Sequence, residues 1–400
     1  MRLGIVYERF MAPGFGGGGA VHSVEVTKRL AKWFDVVYVP PSPVFRRTRE
    51  ELLNAAKRVE ALGIPVVEDF YSILDGKRTR EANDPRGLSK LYNFKVDFLY
   101  EPDHTSWDIF FLKEKSRRGI GVTFHEPPYY ADSLNYLRRL IKFLWVNPRT
   151  GKGFHTRFLY NELVAKRKGR GILGRNPPEL LAAVSEGTLE MSRLRGEVLR
   201  PGNAFDSSLS SLRGRGKEDY VMFYSRLNRD KGIHEVPEVM RLINGRKRTK
   251  LVVAGRFFDS WNRDVFWRKV RKYDLEVEYM GFAERDRLYE ALSKAKVLIY
   301  PSHVDGFSLV VLESLAVGTP VVAYDIPGPL SVYGGLPAVK FVREFDVKGM
   351  AEEALKLMES REEVTSDPKT LAFLEEHSSW DNVAVAVKKL ILKHVGDEKI

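Results

Sequence analysis

The chain reads as an α/β protein of two domains, each a parallel sheet wrapped by helices. Three observations predict this. Its 400 residues exceed what one hydrophobic core usually organises. Short apolar runs alternate throughout with segments of helical periodicity, the pattern of βαβ units. A stretch rich in Ser, Gly and Arg, 203–218, has linker composition and separates two such series. Residues 1–205 are therefore expected to form one domain, 206–218 a linker, 219–378 a second domain and 379–400 a closing helix.

In the first half, residues 3–7 read as a strand, and 20–33 as a helix with apolar residues at helical spacing. The runs 36–39, 98–100, 109–111, 121–124 and 181–184 have the length and apolar content of further strands. Residues 41–95 are polar and irregular, and no element is assigned there. The second half offers strands at 220–224, 251–254, 276–279, 297–300 and 320–323. Helical patterns fill the intervals at 233–243, 261–273, 285–294 and 309–316, and 380–395 places Leu, Ile and Val on one face.

Composition narrows the class of function. Hydrophobic residues at 44% and charged residues at 30% describe an ordinary globular chain. Cysteine is absent, which excludes disulfides, thiolate metal sites and cysteine nucleophiles. Glutamine is absent as well, and with many Lys, Arg and Glu this is the composition of a heat-adapted, thermophilic protein. The start enters an apolar strand without signal-peptide architecture, and no apolar stretch approaches the ~20 residues that span a bilayer. The expected location is cytoplasmic, at most peripheral on a membrane face. The net charge of +12 is uneven: between Arg138 and Arg175 eleven basic residues face one acid, Glu162. Such a field attracts phosphate-bearing partners, whether nucleic acid, anionic lipid or polyprenyl phosphate.

The most informative segment runs from Tyr300 to Ala323. A strand ends at Tyr300, a loop carries Asp305-Gly306-Phe307, and a helix begins near Ser308. The free N–H groups of Ser308, Leu309 and Val310 then face the loop, where the helix dipole favours phosphate. Glu313 lies inside that helix among Leu309, Val310, Val311, Leu312 and Leu315, where an ionised carboxylate needs a partner. Its two oxygens suit the two hydroxyls of a ribose, and Asp305 suits sugar hydroxyls. The plain alternative is a capped helix with two solvated acids. Arg226 and Lys231 follow the first strand of the second half; two cations near a helix N-terminus suit a diphosphate leaving group, the alternative being surface charge. In the first half, the glycine run 14–19 joins the first strand to the first helix and offers N–H groups with no side chain in the way. It fits neither a strict dinucleotide fingerprint nor a P-loop. His125 follows the 121–124 strand and should stand at the sheet's carboxyl edge, as a ligand contact or as a loop histidine.

Asp305-x7-Glu313, with Gly306-Phe307-Ser308 and Gly318-Thr319-Pro320-Val321-Val322, resembles the E-x7-E segment of the retaining glycosyltransferases of family 4. Ser225-Arg-Leu-Asn-Arg-Asp-Lys-Gly232 is similar to that family's G-R-L-x-x-x-K-G stretch, and Val253-Ala-Gly255 to its V-x-G turn. Tyr279-Met-Gly-Phe282, with Leu288 and Tyr289, resembles its base-holding loop and helix. The first acid is Asp305 rather than Glu, one methylene shorter. The resemblance implies a GT-B fold, two Rossmann-like domains facing across a cleft, with the final helix crossing back onto the first. It implies a nucleoside diphosphate sugar as donor, held by Phe282, Gly306, Phe307, Ser308, Leu309 and Glu313, with Gly18 and Gly19 opposite. Asp305, His125, Arg226 and Lys231 would serve the chemistry, a hexosyl transfer with retention. Ser185-Glu186 matches a strand-end pair that is structural. No cofactor is expected beyond the co-substrate, and no metal site, since no His/Asp cluster has ligand spacing.

The acceptor is expected to be a glycan or a lipid-linked molecule. Residues 134–145 read as an amphipathic helix with Leu134, Leu137, Ile141, Leu144 and Trp145 on one side and Arg138, Arg139 and Lys142 on the other. With the Lys166-Arg-Lys-Gly-Arg170 run it forms a candidate anionic-membrane surface, the alternative being a core helix with a solvated basic face. Nucleic acid, argued by the charge alone, is not expected. A nucleotide-sugar epimerase of the same fold and a silent nucleotide-sugar-binding module are the rival readings; the first would turn over its donor without an acceptor, the second would bind without turnover.

Overall fold

A computed structural model describes residues 1–11, 17–147, 160, 166–360 and 363–396. Two six-stranded sheets, parallel throughout, organise them. The first comprises β1 (Arg2–Val6), β2 (Asp35–Val39), β3 (Phe98–Glu101), β4 (Ile120–Phe124), β5 (Leu180–Ala183) and β6 (Glu197–Val198), in the order β2-β1-β3-β4-β5-β6. The second comprises β7 (Glu218–Tyr224), β8 (Lys250–Ala254), β9 (Val277–Gly281), β10 (Ala295–Tyr300), β11 (Val321–Tyr324) and β12 (Val339–Val342), in the order β12-β11-β10-β7-β8-β9.

Both orders are doubly wound, but they differ. The second sheet, read from β9, is the 3-2-1-4-5-6 order of the dinucleotide-binding fold; the first is the flavodoxin-like 2-1-3-4-5 order with a sixth strand added. Each order reverses at one point, between β1 and β3 and between β10 and β7. Open α/β sheets bind ligands beyond the carboxyl ends of the strands at such a point. Both sheets aim theirs at one cleft, lined by Arg9, Asp103 and His125 from the first and Arg226 and Asp305 from the second.

The central strands are buried apolar runs, as sheets covered on both faces require: Ile5, Leu99, Val122, Val221, Val253 and Ile299 are all inaccessible, while β6, β9 and β12 at the sheet edges are partly exposed. Two expectations are overturned. Residues 109–111 are a helical turn, Asp108–Phe111, because a short apolar run carries no period that separates strand from helix. Residues 41–95 are regular, carrying the helices Arg49–Glu60, Glu68–Asp75, Thr79–Ala82 and Pro85–Leu91. Thr48 and Glu51 close a capping box on the first, and Asp84 caps the last.

Within the linker segment, Ser207–Leu212 is a 3₁₀ turn with Leu209 buried, and Lys217 Nζ donates to the Ser293 and Gly318 carbonyls at 2.8 Å each. The Trp380–Val395 helix buries Trp380, Val383, Val387 and Ile391 in the core of the first sheet, against the Gly18–Leu30 helix.

Candidate active site

On the first sheet's side, the 3₁₀ turn Glu8–Met11 carries Arg9 to the cleft. Gly14 and Gly16 lie outside the described residues. Gly17 has φ 91° and precedes the Gly18–Leu30 helix with no side-chain cap, so the first N–H groups of that helix stay open to a ligand. Gly18 and Gly19 line the cleft, and a Cβ on Gly19 would overlap the Asp103 carboxylate. Asp103 follows β3, accepts from Tyr7 O–H at 3.1 Å, and is pushed by burial to a pKa of about 6. His125 lies beside it, its Nε2 3.2 Å from the Pro102 carbonyl, which assigns the proton to that nitrogen. Burial outweighs this bond and lowers the His125 pKa to about 4, so the imidazole at neutral pH is uncharged.

On the facing side, β10 ends at Tyr300 and the chain reaches Ser308, which precedes the Leu309–Ala316 helix at φ 71°, ψ 87°. A non-glycine residue held there is strained, and such strain persists only where surrounding structure imposes it. Tyr333 O–H holds the Ser308 carbonyl at 2.9 Å, while Ser308 Oγ is buried without a hydrogen-bond partner. A second uncapped helix terminus therefore meets the first, Leu309 packing against Gly18. Each leaves backbone N–H groups uncapped at the positive end of a helix dipole, an arrangement that favours an anion.

Asp305 is the hub of the polar groups. Its Oδ2 accepts from Lys231 Nζ at 2.8 Å and Tyr300 O–H at 2.6 Å. Lys231 also donates to the Val304 carbonyl at 2.7 Å, which leaves one ammonium proton. Burial opposes the Lys231 charge, but Asp305 and Tyr300 outweigh it and hold the ammonium protonated. The local sequence sets this up: Asn228 Oδ1 accepts from Lys231 N at 3.1 Å, and Gly232, at φ 78°, passes so close to Pro301 that no Cβ fits. Arg226 is exposed at the mouth.

The structure brings together Gly18, Gly19, His125, Arg226, Lys231, Asp305, Phe307, Ser308 and Leu309 around about 240 Å³. Three expected donor contacts lie elsewhere. Gly306 faces the His125 carbonyl so closely that a Cβ would overlap it; its smallness lets the domains approach. Glu313 does not line this cleft; its Oε2 accepts at 2.7 Å from the O–H of Tyr224, a wall of the Phe282 hollow, and burial raises its pKa against the tyrosine bonds. Phe282, 80% exposed, lines a separate apolar hollow of about 210 Å³ with Tyr224, Gly255 and Leu288. Ser185 is structural, capping the Glu186–Ser192 helix through Thr188 N. Among the described residues no three His, Asp or Glu side chains converge as metal ligands.

The 134–145 expectation is half corrected. The Ser133–Val146 helix leaves Leu134, Ile141 and Trp145 exposed at 72%, 57% and 82%. Arg139 is not on a solvated face: it donates to both Glu344 oxygens, at 2.6 and 2.7 Å, while Tyr136, Leu140 and Phe143 are buried. The helix thus binds the second domain with one face and shows apolar residues on the other, with Arg138 and Lys142 exposed. Lys168 and Arg170 are exposed on the Lys166–Arg175 helix; Arg149, Lys152, Arg157 and Glu162 lie outside the described residues.

Sequence reasoning missed Asp103, Tyr7, Arg9 and the buried group formed by His303, Glu235 and Glu344. A signal existed for Asp103, since Tyr100-Glu-Pro-Asp103 puts a carboxylate just past a strand's carboxyl end. None existed for the buried group, whose members are dispersed along the chain.

Residues 206–369 match the family model Glycosyl transferases group 1, so the second half carries a domain of that kind. An uncharacterized glycosyltransferase of Methanocaldococcus jannaschii is 28% identical over 186 residues, 45% of this chain and 47% of that one. Glycogen synthase of Mycobacterium tuberculosis is 26% identical over 187 residues, 43% of this chain and 42% of that one. These matches span less than half the length of either relative. Among solved structures, Anabaena HepE in complex with UDP and glucose superposes with a TM-score of 0.67 at 15% identity, over 98% of this chain and 100% of that one. A glycosyltransferase from Rickettsia africae gives 0.65 at 12% identity, over 99% of each. The fold is GT-B, as expected.

Proposed function

We propose that the chain transfers a hexosyl group from a nucleoside diphosphate sugar to an acceptor hydroxyl with retention. One observation carries this: two uncapped helix termini meet at paired topological switch points, with Arg226, Lys231 and Asp305 between them. A diphosphate there gains two dipoles and two cations as charge grows on its leaving oxygen. Asp305 Oδ2 is engaged by Lys231 and Tyr300, and its other oxygen serves a sugar hydroxyl. His125, uncharged, offers Nδ1 as an acceptor for another. The base occupies the hollow under Phe282, and Glu313, alongside Tyr224, accepts from the ribose. The resemblance to family 4 and the group 1 domain support this reading. Retention and the hexose rest on the resemblance.

Thermal-shift titration with nucleosides, nucleoside monophosphates and nucleoside diphosphates tests it, since a ligand at a hundred times its dissociation constant stabilises by about 2.7 kcal/mol. Diphosphates should stabilise most. In Glu313→Ala, diphosphate affinity should fall by about tenfold or more, as hydrogen bonds to a charged group contribute about 1.5–3 kcal/mol each. Equal response to nucleoside and diphosphate would remove the leaving-group assignment; unchanged affinity in a folded Glu313→Ala would remove the ribose role. An NMR assay of the product's anomeric configuration decides retention.

The exposed apolar stripe and its flanking Arg138 and Lys142 support a peripheral anionic-membrane site, and hence a lipid-linked acceptor. Each basic side chain near an anionic surface contributes about 1 kcal/mol. Co-sedimentation should be stronger with anionic than with neutral vesicles, should weaken with salt, and should be lost on changing Leu134, Ile141 and Trp145 to Ser. Arg138→Ser with Lys142→Ser should weaken it about tenfold or more, while Arg139, committed to Glu344, is not part of the surface. Indifference to vesicle charge at low salt would leave a solvated face and a soluble acceptor.

A further inference from the structure

A second cavity of about 460 Å³ opens beside the donor cleft, and it is the larger of the two. Arg9, Glu126, Arg226 and Lys231 line both, so the spaces meet at the cations assigned above to the diphosphate. From that junction the second cavity extends away from the glycine loop and the Leu309 terminus. It lies between the inner face of the Ser133–Val146 helix and the second-domain segments 226–231 and 258–262.

Its chemistry is mixed in an informative way. Five basic side chains line it against two acidic ones. Arg139 pairs with Glu344 and Lys231 with Asp305. Arg229 is buried, its guanidinium 5.0 Å from the Phe143 ring centroid and 3.8 Å from Asp230. The aromatic wall is Phe258, 71% exposed, and Trp261, whose ring centroid is 4.6 Å from that of His234. A guanidinium fixed in a partly apolar recess is a fork that matches phosphate oxygens, and burying it brings no gain to a site for a neutral sugar. An exposed aromatic face at the same recess suits the carbon skeleton next to such a phosphate.

We propose that this cavity seats the acceptor and that the acceptor carries a phosphate, its anion at Arg229 and Arg9 and its adjoining carbon skeleton on Phe258 and Trp261. The inference rests on the transferase reading and names its acceptor class. It also fits the stereochemistry. The cavity joins the cleft on the leaving-group side, at Arg226 and Lys231. An acceptor hydroxyl entering there forms its bond to the anomeric carbon on the face from which the diphosphate departs. As the carbon–oxygen bond to the diphosphate breaks, the acceptor's proton passes to the departing phosphate oxygen, and the configuration is kept.

The test is calorimetric titration with the donor cleft saturated by a nucleoside diphosphate. The probes are glucose 1-phosphate, citronellyl phosphate and their dephosphorylated counterparts, glucose and citronellol. At least one phosphate should bind tenfold or more tighter than its counterpart. Arg229→Lys, which keeps the charge and loses the fork, should weaken that binding about tenfold, and Phe258→Ala several-fold. Nucleoside diphosphate affinity should stay within about twofold in both variants, which establishes that they are folded. Binding of glucose 1-phosphate alone identifies a free sugar phosphate; binding of citronellyl phosphate alone identifies a prenyl lipid; binding of both identifies the phosphate itself. If neither phosphate outbinds its counterpart, or if both variants bind as the wild type does, the assignment is overturned while the transferase reading stands. Failure of every nucleoside diphosphate to bind the wild type sinks that reading and this one with it.

Discussion

Lys231→Met is expected to lower turnover by on the order of a hundredfold or more, the usual loss when a group that stabilises developing charge is removed. The ammonium is 2.8 Å from Asp305 and 2.7 Å from the Val304 carbonyl, so its third proton is the one left for the diphosphate. Two effects are entangled in this single variant. Removing one member of a buried ion pair also leaves the other charge uncompensated, at about 3–5 kcal/mol. Lys231→Met with Asp305→Asn separates them. The double variant should regain most of the lost melting temperature, because no bare carboxylate remains. Turnover unchanged in Lys231→Met alone would reduce Lys231 to a counter-ion for Asp305. Arg226→Ala should show a comparable loss in turnover with little change in stability, since Arg226 is exposed.

Stability is expected to fall by about 3 kcal/mol as the pH rises from 6.5 through 9, and His303→Gln should abolish that slope. His303 is 2% exposed, with Nδ1 2.7 Å from Glu344 Oε1 and Nε2 3.2 Å from Glu235 Oε1. Burial pulls its pKa down, but Glu235 first and Glu344 with it raise the pKa from 6.5 to about 9. A pKa raised in the folded state contributes stability that is fully present below the unfolded value of 6.5 and is lost as pH climbs through 9. Glu344 acts in the opposite direction. Burial opposes its charge, yet His303 and Arg139 outweigh burial and hold its pKa below 4.5, so its contribution is lost as the pH falls. The cluster therefore stabilises most between about pH 5 and 6.5. Tyr324 O–H completes it by donating to Glu235 Oε2 at 2.6 Å. Because Arg139 comes from the first domain and the other members from the second, the cluster also joins the two domains. Equilibrium denaturation of wild type and His303→Gln across the pH range measures both effects. A wild-type stability flat from pH 6.5 to 10 would mean that His303 is neutral in the folded protein.

Much of the fold was legible because its strands are short, buried apolar runs bounded by polar loops. β1, β4, β7, β8 and β10 lie within a residue or two of where the apolar pattern ends. The helices of residues 41–95 lie in a polar stretch, yet two of them carry a local signal, Thr48-Arg-Glu-Glu51 as a capping box and Asp84-Pro85 as a cap followed by proline. The polar faces of these helices hid their period, and the caps were the cue to use. Residues 109–111 failed for another reason: a run that short carries no period at all.

Sequence alone put the candidate residues at strand ends: Arg226 and Lys231 after β7, Asp305 to Leu309 after β10, Gly18 and Gly19 after β1, and His125 after β4. Backbone geometry puts a residue that follows a parallel strand at the sheet's carboxyl edge, so its place depends on local pattern and little else. What only the tertiary structure decided is how such edges are set against each other. Gly306 is small to admit the His125 carbonyl, Asp103 reaches the cleft because Gly19 makes room, and Arg139 leaves the solvated face to pair with Glu344. Each of these depends on contact between segments dozens to hundreds of residues apart. Such contacts follow from which strands neighbour each other within a sheet and from how the two sheets dock, and no local periodicity encodes them.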